Sequence, residues 1–241
     1  MAQRAALVTG GSSGIGYAIA EALAGEGYGV TISGRRAEKL EAAAQGLRDK
    51  GHDINAVAGQ ATEEDALVAL VKSHREKYGR LDVLVNNAGV GLGGPLEGYP
   101  TKKIDLQLDV NIRSHIIVTR EALNMLKAAG EEHNNAYIVN TASIASREGQ
   151  QWLSVYAATK AAITNWGTGI QMELLGTGIR VTALSPGFVE TPMTEFAQQG
   201  GVPAESMIRP EDLAKTVLWL LTLSPAARVP EVIFERVGET L

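Results

Sequence analysis

The chain has 241 residues, 45% hydrophobic and 20% charged, which suits one globular α/β domain better than two. A net charge of −5 argues against a general nucleic-acid surface. No run approaches the roughly eighteen apolar residues that a membrane helix needs, and the absence of cysteine excludes disulfides, thiolate nucleophiles and zinc thiolate sites.

Apolar, β-rich runs alternate with helical patterns along the chain, with no internal repeat, low-complexity tract or long linker. The first run, residues 5–8, reads as a short buried parallel strand. It starts close enough to Met1 to leave no room for a signal peptide, so a cytoplasmic location is expected. TGGSSGIG follows at residues 9–16, and Ile15, Ala18, Ile19, Ala22 and Leu23 then recur at helical spacing. Strand, glycine turn and helix, in that order, are the context in which such a motif binds a dinucleotide. Gly10 permits the tight turn, Gly14 lets a pyrophosphate approach the backbone, and Gly16 allows close helix–strand packing. The helix N-terminus offers unpaired N–H groups and partial positive charge to the phosphates.

Further strands are predicted at 29–33, 54–58, 83–86, 136–140, 180–184 and 232–234. Helices are predicted near 14–26, 36–49, 63–77, 101–129, 152–175 and 211–223. This alternation predicts one domain over residues 1–241. Its core is a doubly wound parallel sheet of about seven strands with helices on both faces and ligand past the strands' carboxyl ends.

The chemistry centres on YAATK, in which Tyr156 and Lys160 stand four residues apart on one helix face, and on Ser143 thirteen residues before the tyrosine. A free phenol has a pKa of about 10. A neighbouring ammonium is expected to lower it, so that the phenol can exchange a proton with a substrate oxygen. Taken alone, other motifs are ordinary. Asn87 and Gly89 suit a turn, Ser143 suits a turn or helix cap, and Pro186-Gly187 suits a strand-ending turn. Asn111 in mid-helix calls for either a buried hydrogen bond or plain exposure. His52, His74, His115 and His133 lack ligand spacing; they read as surface or partly buried residues, and no metal site is expected.

Taken together, these motifs resemble the short-chain dehydrogenase/reductase family over nearly the whole chain, and the resemblance implies its Rossmann-type fold. Thr9, Gly10, Gly14 and Gly16 match the cofactor turn, whose implied contacts include Ser12, Ser13 and Ile15. Asn86, Asn87, Ala88 and Gly89 match the segment that steadies the sheet and packs beside the adenine ribose. Asn111, Ser143, Tyr156 and Lys160 match the catalytic tetrad, with Asn111 implied to hold a water of the proton relay and Lys160 to hold the nicotinamide ribose. Pro186, Gly187, Val189 and Thr191 match the segment facing the nicotinamide. Near the adenine, where the family often has an acidic residue, this chain has Gly59, Gln60, Ala61 and Thr62. Its last segment, residues 231–241, carries only Gly238 where the family commonly has a Gly-rich tail.

The resemblance implies hydride transfer between a nicotinamide cofactor and a small carbonyl or alcohol. After the second strand, Gly34, Arg35 and Arg36 replace the acidic residue usual with NAD. The two arginines therefore point to NADP rather than NAD, with Arg35 carrying most of the preference. Ala145, Arg147, Trp152, Leu153, Phe188 and Met193 are candidates for the substrate wall, under a movable lid at 190–209. Leu108, Ile112, Ile116, Leu123 and Leu126 recur at helical spacing. They serve either the core alone or a homodimer or homotetramer of the kind the resemblance implies. Two other readings stay open: a dinucleotide-binding sensor or scaffold without turnover, and an epimerase or dehydratase on the same fold.

Overall fold

The computed structural model describes residues 4–237; Gly238 and the end of the expected tail lie outside them. Seven strands form one parallel sheet in the order β3-β2-β1-β4-β5-β6-β7. They are β1 (Ala5–Val8), β2 (Gly29–Gly34), β3 (Ile54–Ala58), β4 (Val83–Asn86), β5 (Ala136–Thr141), β6 (Ile179–Pro186) and β7 (Glu231–Phe234). The helices are α1 (Gly14–Gly25), α2 (Ala37–Arg48), α3 (Glu64–Tyr78), α4 (Thr101–Leu108), α5 (Ser114–His133), α6 (Ser154–Glu173), α7 (Glu195–Gln199) and α8 (Pro210–Thr222).

Alternation along the strands divides the core in two. Ala6, Val8, Val83, Val85, Tyr137 and Val139 face α1, α2 and α8. Their neighbours Leu7, Leu84 and Ile138 face α3, α5 and α6. Strand order reverses between β1 and β4, so the crevice opens at their carboxyl ends, where such sheets bind ligands.

The helix expected over 101–129 is instead two helices joined by a π-helical turn, Asp109–Arg113, and α5 runs on to His133. Asn111 lies in that turn, fully buried, so a buried hydrogen bond rather than exposure explains it. α5 ends where Asn134 takes a left-handed conformation, φ 53°. The expected apolar stripe splits: Leu126 is in the core, Leu123 packs against it, and Leu108 and Ile116 face outward.

His74 and His115 are fully buried, which corrects the expectation of surface or partial exposure. His74 bridges Thr31 Oγ1 (2.7 Å) and the Arg80 carbonyl (2.8 Å), tying α3 to β2. Burial pushes its pKa down to about 4. The unfolded chain therefore binds more protons than the folded one between the ordinary histidine value of about 6.5 and the buried value, and stability falls as pH drops through that window. Melting temperatures measured from neutral pH downward should show this fall, and His74→Gln should flatten it. An identical slope in the variant contradicts the assignment.

Candidate active site

The carboxyl ends of β1 and β4 are stitched together by their own side chains. Thr9 Oγ1 accepts from the backbone N–H groups of Asn87 (2.9 Å) and Ala88 (3.0 Å), and Asn87 Nδ2 donates back to the Thr9 carbonyl (3.0 Å). Asn86 Nδ2 donates to Asn140 Oδ1 and Thr119 Oγ1, both at 3.0 Å, extending the bracing to β5 and α5. His115 bonds the Ala88 carbonyl from below at 2.9 Å.

A cavity of ≈650 Å³ lies across these strand ends. Every residue expected at the cofactor lines it except Gly16, which sits beneath the turn. There a Cβ would come within 2.4 Å of the Gly10 carbonyl oxygen, so the packing of α1 on β1 requires glycine. At Gly14, φ is 58° and a Cβ would lie 2.9 Å from Thr191 Cγ2. The α1 N-terminus has no side-chain cap and no acidic residue in its first turn, leaving its amides to an anion. These features fit a dinucleotide pyrophosphate.

At one end of the cavity stand Arg35, Arg36 and Lys39, around the start of α2. None of the three has an ion-pair partner among the described residues. Lys39 Nζ donates to Ser13 Oγ at 3.0 Å, bringing a cation to the glycine turn itself. The sequence reading missed Lys39 because its approach depends on how α2 lies beside α1. Its placement in the first turn of α2, close after Arg35 and Arg36, was the available signal.

At the other end stand Ser143, Tyr156 and Lys160. Ser143 caps the short turn Ile144–Ser146, accepting from the Ala145 N–H at 3.2 Å while lining the cavity, so it is a cap as well as a cavity group. Tyr156 stands in the first turn of α6, and Lys160 Nζ donates to the Thr141 carbonyl at 2.7 Å. Burial pushes the Tyr156 phenol above its ordinary value, opposed by the Ser143 hydroxyl. The expected lowering by Lys160 is absent: its Nζ lies 5.8 Å from the ring centroid and is committed to Thr141. Burial also pushes Lys160 itself down to about 8.

Asn111 does not face the cavity. Its Oδ1 accepts from Val90 N–H (2.8 Å), while its Nδ2 donates to the Val90 carbonyl and Thr159 Oγ1, both at 2.9 Å. Thr159 in turn donates to the Tyr156 carbonyl at 2.7 Å, so Asn111 locks the segment after β4 to the helix bearing Tyr156. Of the substrate-wall candidates, Met193 lines the cavity. Arg147 pairs with Glu231 at 3.0 Å, Phe188 packs edge-on against Phe196, and Ala145 is buried in its loop. Leu153 packs beside Gly93, and Trp152 borders a small recess with Leu92 and Leu96.

The profile of the short chain dehydrogenase family matches residues 4–200. The chain belongs to that family. An uncharacterized oxidoreductase of Staphylococcus haemolyticus is 35% identical over 230 residues, covering 95% of each chain. Among solved structures, an alcohol dehydrogenase of the archaeon Thermococcus sibiricus, complexed with 5-hydroxy-NADP, superposes with a TM-score of 0.87 at 28% identity, covering 99% of this chain and 98% of its own. A 3-ketoacyl-(acyl-carrier-protein) reductase of Brucella melitensis, complexed with NADH, gives 0.86 at 28% identity, covering 97% and 96%. This short-chain dehydrogenase is thus an oxidoreductase acting on CH–OH or carbonyl groups with a nicotinamide dinucleotide. No helix among the described residues is long and apolar enough to cross a membrane.

Proposed function

We propose that this short-chain dehydrogenase is an NADP-dependent enzyme interconverting a carbonyl and a secondary alcohol, with Tyr156 as general acid and base. The observation that carries the reading is the convergence of Ser143, Tyr156 and Lys160 at one end of the cavity, opposite three unpaired cations. The dinucleotide, when bound, supplies the hydride. Ser143 hydrogen-bonds the substrate oxygen and fixes its place. Tyr156, held protonated at neutral pH by burial, donates to that oxygen as negative charge develops. Lys160 holds the ribose beside Tyr156. Asn111, expected to hold a water of the proton relay, acts instead as a positioning residue that keeps α6 and Val90 in register.

Residues 190–209 form the lid in this proposal. They comprise the turn Pro192–Thr194, α7 and the turn Ala204–Ser206, anchored at their base by the parallel bridge between Val189 and Ile208. The outward Leu108 and Ile116, with the exposed Met172 of α6, support a homodimer or homotetramer built on α6 and on α4 and α5.

Cofactor choice rests on the cations, because the structural neighbours divide between NADP and NADH. Arg35, Arg36 and Lys39 surround the place past β2 where a carboxylate would repel a 2′-phosphate. Lys39 supplies at Ser13 the cation that the glycine turn itself lacks.

Tyr156→Phe keeps the ring and removes the proton. It should lower kcat by at least about 100-fold, the usual scale of general acid–base loss, while cofactor still binds. A fully active variant overturns the mechanism. NADPH should show the lower KM in wild type, with a preference over NADH of about a hundredfold for some 3 kcal/mol of pairing. Lys39→Leu and Arg35→Leu should each erode that preference, and Gly34→Asp with Arg35→Leu should move it towards NADH. A lower wild-type KM for NADH contradicts the assignment.

A further inference from the structure

We propose that the catalytic end admits a bulky, uncharged carbonyl compound, an aryl or alicyclic ketone, whose apolar body lies against Trp152. This rests on the reductase reading above and names its substrate class.

Trp152 has φ 65°, a left-handed conformation that is costly for a large side chain. Burial does not offset the cost, because the residue is 62% exposed. The backbone is nevertheless locked there: the Trp152 carbonyl accepts from Gly94 N–H at 2.8 Å, and Leu153 N–H donates to the Gln150 carbonyl at 3.0 Å. A strained backbone displaying a large aromatic ring to solvent points to a contact made with something else.

Its position says with what. Trp152 lies two residues before α6, whose first turn carries Tyr156. The segment it grips lies over the catalytic phenol, since a Cβ on Gly91 would sit 3.6 Å from Tyr156 Cε2. Leu92, a wall residue of the main cavity, also borders the shallow surface recess on which Trp152 lies, so Trp152 stands beside the cavity mouth. From the lid, Met193 adds a half-exposed apolar side chain to the cavity wall.

The polar groups give the complementary half. The charged residues lining the cavity are Arg35, Arg36 and Lys39 at the far end and the buried Lys160. Arg147, the one cation in the loop after Ser143, is taken by Glu231. Thr194 Oγ1 is spent on the Val189 carbonyl at 2.5 Å. Among the residues lining the cavity, a carboxylate on the substrate would find no counter-charge at this end beyond Lys160, and a sugar's hydroxyls would gain no hydrogen bond from Leu92, Met193 or the Trp152 ring face.

The test uses the whole protein with NADPH and four carbonyls: 1-indanone, acetone, pyruvate and fructose. Indanone should be reduced with kcat/KM at least about a hundredfold above pyruvate and fructose, reflecting the cost of burying an unpaired charge or hydroxyls. Trp152→Gly should raise KM for indanone about tenfold, for the lost apolar contact, and leave kcat/KM for acetone within about twofold. Because glycine adopts φ 65° without strain, the melting temperature should hold or rise. Trp152→Asn, which also tolerates this backbone, should reproduce the KM effect. Preference for pyruvate or fructose, or an unchanged indanone KM in both variants, overturns the apolar class and leaves the reductase reading standing. No turnover of any carbonyl overturns the reductase reading and this inference with it.

Discussion

The spacing between the carboxyl ends of β1 and β4 is the constraint on which the site depends. Sheet twist opens a crevice where strand order reverses, and three hydrogen bonds between Thr9, Asn87 and Ala88 hold its two sides together. Gly10 and Gly16 pack the glycine turn directly onto that bracing, where a Cβ would collide with Asn87. Ala88 and Gly89 then pass between the turn and Lys160, whose Nζ would lie 3.4 Å from a Cβ on Gly89. A methyl group at several of these positions would push the cavity floor apart, which is why the segment consists of small residues.

Burial is the second organising effect, and it acts on Tyr156 and Lys160 in opposite chemical directions. Desolvation disfavours the charged form of each, so the phenol keeps its proton while the ammonium is more ready to release one. For the proposed reductase this polarity is useful, because the phenol is loaded with its proton at neutral pH. The opposite end of the cavity shows the reverse strategy, with Arg35 and Arg36 left exposed and without an ion-pair partner among the described residues. Solvated cations of this kind attract an anion over a distance without the cost of desolvation.

Most of the fold was legible because each strand is a short apolar run bounded by turn residues, and each covering helix has one apolar stripe. The bounds of β1, β3 and β4 agree residue for residue, and the others differ by a few positions at their ends. The break between α4 and α5 was not legible. There Asn111 reaches Val90 and Thr159, partners that local periodicity does not reveal. Lys39 escaped notice for the same reason, since its contact with Ser13 exists only once α2 packs beside the glycine turn. Burial of His74 and His115 was equally hidden: both lie on the inner faces of α3 and α5, and the partners they meet, Thr31 and the Arg80 carbonyl for His74 and the Ala88 carbonyl for His115, lie outside their helices. The spacing of Tyr156 and Lys160 did place them on one helix face. It did not show that Lys160 Nζ turns to the Thr141 carbonyl rather than to the phenol oxygen.

That last difference bears on how the proton is delivered, and it can be measured directly. Ultraviolet titration of tyrosinate in the wild type, with the Tyr156→Phe spectrum subtracted, isolates the ionisation of this one phenol. Burial predicts that the difference signal stays flat through neutrality and rises only above the ordinary phenol value of about 10. A titration step near neutral pH in the same difference spectrum would contradict it, because Tyr156 would then be a phenolate rather than a loaded acid.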